Sequence, residues 1–328
     1  MNIARSALGG LVLGISLAAA GAAAAAEWKA YTYIDAVTTP AYKGLEKLAA
    51  DFAAATGGEI EIKPNVGGSL PIQASSITQA VGDGVLDIAD DMAFVGNIRI
   101  GGLIRLPFLM DSAEDYDKAR GIWIAHADKE LAGLGVKLLA EYHYPAQVLF
   151  SSRPVTSLEE IKGLKIRVSS PEQAEFVTRF GGVPVTLAPP EVPSALQSGV
   201  INGVLTASAG GGRVWRDFFT HNYRLPVNWT NSMFVVNQGV FDDLSAEDQE
   251  KLLTAARAAA ASIEKELSDT EDSSTETFAK TGMTVTVPTD AEMAKASEAI
   301  SDYWQAWADQ RGPAAVEALA EIRKALGR

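Results

Sequence analysis

The chain contains no cysteine. Disulfide staples, thiolate metal sites and cysteine nucleophiles are thereby excluded. Histidine is scarce: His126, His143 and His221 stand far apart and lack the spacing of metal ligands. Positive charge is the minority sign, with 28 basic against 41 acidic residues and a net charge of -13. A face basic enough to neutralise phosphates is missing, so nucleic acid and anionic membrane surfaces are not expected partners. Beyond the N-terminus no apolar run approaches the roughly 20 residues of a membrane span. There is no Gly-x-Ser-x-Gly elbow, no His-Glu metal helix and no phosphate loop. Neither an enzyme nor a cofactor is expected. Asp87, Asp90 and Asp91 cluster without the glycine and spacing of a calcium loop, and are expected on a solvated face.

What is present is a globular composition, 47% hydrophobic and 21% charged over 328 residues, long enough for two lobes with their own cores. The first 26 residues have the form of a secretory leader. Arg5 supplies the charge, Leu8 to Ala20 the apolar stretch, and Ala24-Ala25-Ala26 the small residues before a cut. The expectation is cleavage after Ala26 and a mature protein exported to the periplasm.

Strands and helices alternate along the chain. Trp28 to Ile34 reads as a strand, Pro40 opens a helix ending at Gly57-Gly58, and Glu59 to Pro64 reads as a second strand. A helix is expected from Pro71 to about Val81 and a strand over Val85 to Ala89. Ser112 to Leu131 reads as a helix, with strands over Val136 to Tyr142 and Gln147 to Ser151. Met233 to Asn237 reads as a strand and Ser245 to about Lys280 as one long helix, on the order of 50 Å at 1.5 Å per residue. A strand at Thr284 to Val287 and helices over 290–310 and 313–326 close the chain. This alternation predicts a parallel or mixed α/β sheet. Ala80 to Asp87 also echoes Ala195 to Asn202: a helix ends at glycine, and an apolar pair precedes an acid or amide. Two lobes of like topology would produce that echo, and so would chance.

The stretch Leu164 to Gly203 carries most of the chemistry. Leu164 to Val168 alternates as a strand, and Ser170-Pro171 with Gln173 starts a helix. Arg167 therefore stands at a strand end just ahead of a helix N-terminus. A guanidinium fork and unpaired N–H groups both favour an anionic oxygen pair. The alternative is a structural ion pair. Trp215 and Trp229 suit either a pocket wall or core packing. Tyr33 and Asp35 close the first strand, where α/β folds place ligand contacts and where loop caps also sit. Asn231 and Asn237 are weaker candidates of the same kind.

Taken in order, Leu106-Pro107-Phe108, Arg153-Pro154-Val155, Leu164 to Val168, Pro184-Val185, Glu191-Val192 and Ala195 to Gly203 resemble the substrate-binding proteins of TRAP transporters, the tripartite ATP-independent periplasmic transporters of the DctP type. The resemblance spans the mature chain and is most specific from Gly163 to Gly203. It implies an α/β, two-lobed periplasmic binding protein, type II-like, with a central ligand cleft and a long bracing helix. On that pattern lobe I is 27–144 plus 233–272, and lobe II is 145–232 plus 273–328. It also implies a monomeric receptor that binds a small organic acid and delivers it to TRAP permease membrane subunits. Arg167 matches the family arginine that grips the carboxylate. Gln147 stands where members binding sialic acid or C4-dicarboxylates often carry a second arginine. Thr206, four residues after Asn202, stands where the binding asparagine often is. A second carboxylate would lack a cation, and an uncompensated buried charge is costly, so the expected ligand has one carboxylate unless Arg213 supplies the missing charge. Candidate ligand residues are Arg167, Gln147, Trp229, Trp215, Thr206, Asn202 and Tyr33. A ligand-sensing module for a membrane signalling protein is the alternative from another class. A receptor of another transporter type and a periplasmic hydrolase are weaker.

Overall fold

A computed structural model of the protein describes residues 25–328. All but the end of the expected leader lies outside the described residues, and Ala26 opens the first strand. In chain order β1 (Ala26–Thr32), α1 (Pro40–Ala55), β2 (Ile60–Asn65), α2 (Ile77–Gly82) and β3 (Ile88–Asp91) come first. Next come α3 (Ala113–Ala132) and β4 (Val136–Ser151). A second set follows: β5 (Lys165–Val168), α4 (Pro171–Arg179), β6 (Val183–Thr186), α5 (Val192–Gln197) and β7 (Gly203–Thr206). β8 (His221–Asn237), α6 (Gln238–Asp242), α7 (Ala246–Lys280), β9 (Thr284–Thr286), α8 (Asp290–Arg311) and α9 (Pro313–Leu326) complete it.

The described strands form one mixed sheet in the order β2-β1-β3-β8-β4-β7-β5-β6, with β9 beside β8. β1 is parallel to both β2 and β3, and β5 is parallel to both β6 and β7. The same three-strand pattern thus flanks a central antiparallel pair, β4 and β8. The echo between the segments ending at Asp87 and Asn202 is geometric. Each turns on a left-handed glycine, Gly84 at φ 72° and Gly199 at φ 70°, before its strand.

β4 and β8 pair from Val136 with Asn237 to Ser151 with His221, so both strands run through both halves. Sequence reasoning broke β4 in two and found only the last five residues of β8. Proline misled it. Pro145 lies in the register shift between Tyr144 and Gln147, where the ladder needs no donor from it. Two other bounds also differ. Pro71 does not open a helix, because Gln73 is extended and a tight turn at Ala74–Ser76 precedes α2. Val85 and Leu86 close the Gly84 turn by donating to the Ala80 carbonyl, so β3 starts only at Ile88.

Helices cover the sheet on both faces. Leu48, Phe52, Ala256 and Ile263 pack α1 and α7 against one half. Trp123, Trp304 and Trp307 of α3 and α8 anchor a larger core. Phe150, Val204 and Phe219 build a third, which also takes Phe278. α7 has 35 residues, and its buried positions recur at helical spacing from Leu252 to Phe278. It thereby contributes to cores in both halves, the bracing role its length suggested.

Asp90 and Asp91 are not on a solvated face. Both are fully buried in β3. Asp90 accepts from Thr32, Tyr142 and Ser232 hydroxyls, and Asp91 from Thr78 and the Ala93 N–H. Donors from distant segments make the burial tolerable. Burial still raises their pKa values, to about 7 for Asp90 and about 6 for Asp91.

Candidate functional site

Strand ends from both halves converge on one cleft. Tyr33 follows β1, Met92 follows β3, Arg167 lies in the last two residues of β5 and Ser169 just after it, and Thr206 ends β7. Open α/β sheets commonly place ligands outside such carboxyl ends. Tyr144 and Gln147 enter from the irregular part of β4. The cleft has two chambers, of about 370 and 1070 Å³. Tyr33, Met92, Arg167 and Ser169 line both, so the chambers meet at Arg167.

Arg167 is held by its own strand and by one hydrogen bond, Nε to the Leu187 carbonyl at 3.0 Å. The side chain is buried, with only 6% of the residue exposed. Among the described residues neither Nη has a hydrogen-bond partner, and no carboxylate lies within ion-pair distance. Burial lowers its pKa to about 10, while the Glu191 charge opposes that shift. The group stays protonated at neutral pH. Its carbon sits 5.8 Å from the centre of the Trp215 ring. A buried cation with two open N–H forks and an aromatic neighbour is suited to a carboxylate.

The smaller chamber gathers Arg167, Gln147, Trp215, Thr206 and Tyr33 from the sequence candidates. Gln147 Nε2 donates to the Pro145 carbonyl at 2.8 Å. Thr206 Oγ1 accepts the Gly211 N–H at 3.1 Å. The Tyr33 and Tyr144 hydroxyls lie 2.7 Å apart. Asp35 and Arg213 also line this chamber, and both are exposed.

Trp229 and Asn202 are not among the lining residues of either chamber. Trp229 packs against the rings of Tyr116 and His143, at 5.6 and 5.4 Å. Asn202 joins strands: its Oδ1 accepts the Lys165 N–H at 2.9 Å. Asn231 is committed to Arg105, and Asn237 caps α6 through the Val240 N–H. His143 pairs with Glu264 at 2.9 Å and His126 with Glu321 at 3.2 Å. No metal-binding group of side chains occurs among the described residues, nor is any described helix long and apolar enough to cross a membrane.

Sequence reasoning missed Arg105, Tyr144 and Ser169. Arg105 lines the larger chamber and is buried, donating to the Met92 carbonyl and to Asn231. A lone arginine inside the apolar run from Leu103 to Leu109 was the available signal. Ser169 sits two residues after Arg167, on the same side of an extended chain.

Comparison with known proteins extends this picture. The family model for bacterial extracellular solute-binding proteins, family 7 (DctP), matches residues 31–310. The ectoine/5-hydroxyectoine-binding periplasmic protein UehA of Ruegeria pomeroyi is 28% identical over 95% of this chain and 94% of its own. A Bordetella pertussis extracytoplasmic solute receptor that binds pyroglutamic acid has a similar fold, with TM-score 0.84 and 23% identity over 91% of this chain and 100% of that one. So does a TRAP solute-binding protein from a marine metagenome, specific for pyroglutamate, with TM-score 0.83 and 24% identity over 92% and 99%. These relatives are named for binding, not for catalysis. With two lobes, a cleft at the strand ends, a bracing helix and a family match over most of its length, the chain belongs to the family 7 bacterial extracellular solute-binding proteins.

Proposed function

We propose that this protein is an extracytoplasmic receptor that captures a small organic acid and delivers it to a TRAP-type permease of the inner membrane. The observation that carries the reading is Arg167, buried between the two halves with both Nη groups free of partners among the described residues. A carboxylate bound there gains paired, charge-assisted hydrogen bonds in a site shielded from water. Arg167 is its anchor. Trp215, Tyr33, Thr206 and Gln147 wall the ligand body.

The ligand carries one carboxylate. Gln147 brings no charge to the smaller chamber, and Arg213 at its rim is exposed. In the smaller chamber a second carboxylate would enter with no buried cation besides Arg167, and in the larger one the buried Arg105 is already engaged by Asn231 and the Met92 carbonyl. Two of the relatives are named for such solutes, since pyroglutamate and ectoine each have a single carboxylate, while another, 24% identical over 53% of this chain, is named for C4-dicarboxylates.

The lobes are 27–144 plus 233–272 and 145–232 plus 273–328, and β4 and β8 form the hinge between them. Solute contacts to both lobes favour the closed form. The leader is removed after Ala26, and the mature chain acts as a monomer. A thermal-shift screen of the mature protein against monocarboxylates and dicarboxylates tests the function. A solute at a hundredfold excess over its Kd stabilises the folded state by about 2.7 kcal/mol. Monocarboxylates should raise the melting temperature and dicarboxylates should not. A response confined to uncharged solutes would contradict the reading.

A further inference from the structure

Ser169 lines both chambers beside Arg167. Its hydroxyl lies 3.0 Å from Gln173 Oε1. An amide oxygen only accepts and an amide nitrogen only donates, so the role of the hydroxyl depends on which end of Gln173 faces it, and a chain of buried amides running back to the main chain settles that.

The chain starts at Asn228, in β8. Its Nδ2 faces two main-chain carbonyls, those of Arg105 at 2.9 Å and Trp229 at 3.1 Å. Carbonyls only accept, so this atom must be the nitrogen. Asn228 Oδ1 therefore faces Gln173, whose Nε2 donates to it at 3.0 Å. That orientation turns Gln173 Oε1 towards Ser169. The Ser169 main-chain N–H donates to the same Oε1 at 2.8 Å, a second lock on the same orientation. Gln173 is fully buried and Asn228 nearly so, so flipping either amide would set like against like without water to relieve it. The Ser169 hydroxyl is thus committed as a donor to Gln173. A serine oxygen has one proton and two lone pairs, and only lone pairs are left for the cleft.

Gln147 shows the same polarity by an independent route. Its Nε2 is turned to the Pro145 carbonyl, which leaves Oε1 for the smaller chamber. Thr206 has the opposite polarity: its oxygen accepts the Gly211 N–H and its proton is free. Around Arg167 the cleft offers a cation, the Thr206 hydroxyl donor, the paired hydroxyls of Tyr33 and Tyr144, and the acceptor oxygens of Ser169 and Gln147.

We infer that Ser169, held by Gln173, is a specificity-determining residue that accepts a hydrogen bond from the solute, and that the solute is a monocarboxylate bearing an N–H or O–H donor, of the lactam, cyclic amino or hydroxy acid class. The inference rests on the receptor reading above. It adds the chemistry of the solute's second group. A donor group satisfies the acceptors, whereas an ether or ester oxygen in its place sets lone pairs against lone pairs.

Matched acids that differ in this one group provide the test. The pairs are pyroglutamate and 5-oxotetrahydrofuran-2-carboxylate, proline and tetrahydrofuran-2-carboxylate, pipecolate and tetrahydropyran-2-carboxylate, and lactate and 2-methoxypropanoate. Calorimetry on the mature protein gives the affinity ratio within each pair, for wild type, Ser169→Ala and Arg167→Ala. In at least one pair wild type should prefer the donor member by roughly ten- to hundredfold, the range set by an unsatisfied buried acceptor. Ser169→Ala should bring that ratio towards one, and Arg167→Ala should weaken both members alike. Equal binding of the members in wild type, or a ratio that survives Ser169→Ala, overturns the inference while leaving the receptor reading intact. If no acid of any pair binds, the receptor reading itself fails and the inference falls with it.

Discussion

Asp87 and Asn202 occupy the same place in the two halves of the sheet. Asp87 accepts the Lys29 N–H of β1 at 2.6 Å, and its own N–H donates to the Lys29 carbonyl at 3.1 Å. Asn202 accepts the Lys165 N–H of β5 at 2.9 Å and donates to the Lys165 carbonyl at 2.9 Å. Each side chain fastens the turn after a helix to the strand that began its half. Counting on from Lys29 and Lys165, Tyr31 answers to Arg167 and Tyr33 to Ser169.

This equivalence makes Asn202 a structural residue. Asn202→Asp should keep the fold, because an aspartate does the same task at position 87. Asn202→Ala should lower stability by about 0.5–1.5 kcal/mol, the usual net worth of one hydrogen bond, since the Lys165 N–H it leaves is exposed to water. Neither should change solute affinity. Urea melts beside calorimetry check both. A loss of affinity at unchanged stability would return Asn202 to the binding site.

The wall of the smaller chamber should be sensitive to one methyl group. A Cβ at Gly211 would lie 2.3 Å from Trp215 Cζ3 and 2.7 Å from Thr206 Oγ1. Gly211→Ala must push both side chains, a strain of roughly 1–3 kcal/mol in packed sites. Binding should weaken about tenfold or more, while the protein still unfolds cooperatively. Unchanged affinity would mean that Trp215 and Thr206 do not touch the solute.

The brace between α1 and α7 should be testable without disturbing the cleft. A Cβ at Gly44 would meet Ile263 Cδ1 at 2.3 Å. Gly44→Ala should destabilise by roughly 1–3 kcal/mol. Combined with Ile263→Ala it should cost less than the sum of the single changes, since the second removes the obstacle. Strict additivity in denaturant melts would contradict the packing.

Asp90 should make stability fall as pH rises. Burial lifts it from 3.8 to about 7, so the folded state keeps a proton that the unfolded chain has released. Its contribution is fully present below pH 3.8 and is lost as pH climbs through about 7. Asp90→Asn stays neutral, so its stability relative to wild type should increase between pH 4 and 8. Thermal melts across that range, read as the difference between the two proteins, provide the check. A pH-independent difference would show that Asp90 keeps an ordinary pKa.

Local signals were legible in the sequence and long-range partners were not. Ser170-Pro171 with Gln173 marked the start of α4, and with it the place of Arg167. Thr39, Ser112, Ser245 and Thr289 accept the N–H groups expected of helix caps. The polar run from Asn228 to Ser232 did not read as a central strand. Its burial rests on partners such as Arg105 for Asn231, 126 positions away. Asp90 hid for the same reason, because Thr32, Tyr142 and Ser232 come from three separate segments. Trp215 and Trp229 read alike in the sequence, suited to a pocket wall or to core packing, and Trp229 packs on Tyr116 and His143. Nothing near it in the chain tells which wall an aromatic will join.

The central claim is that Arg167 anchors a carboxylate, and one titration addresses it most directly. The monocarboxylate that most raises the melting temperature of wild type is titrated calorimetrically into mature wild type, Arg167→Lys and Arg167→Ala, with folding of each verified by its melting curve. Truncating one partner of a buried, hydrogen-bonded charge pair costs about 2–5 kcal/mol, roughly 30-fold to several thousandfold in Kd. Wild type should bind. Arg167→Ala should lose affinity by that factor, and Arg167→Lys should recover only part, because an ammonium has no planar fork. Wild-type affinity in a folded Arg167→Ala would contradict the account.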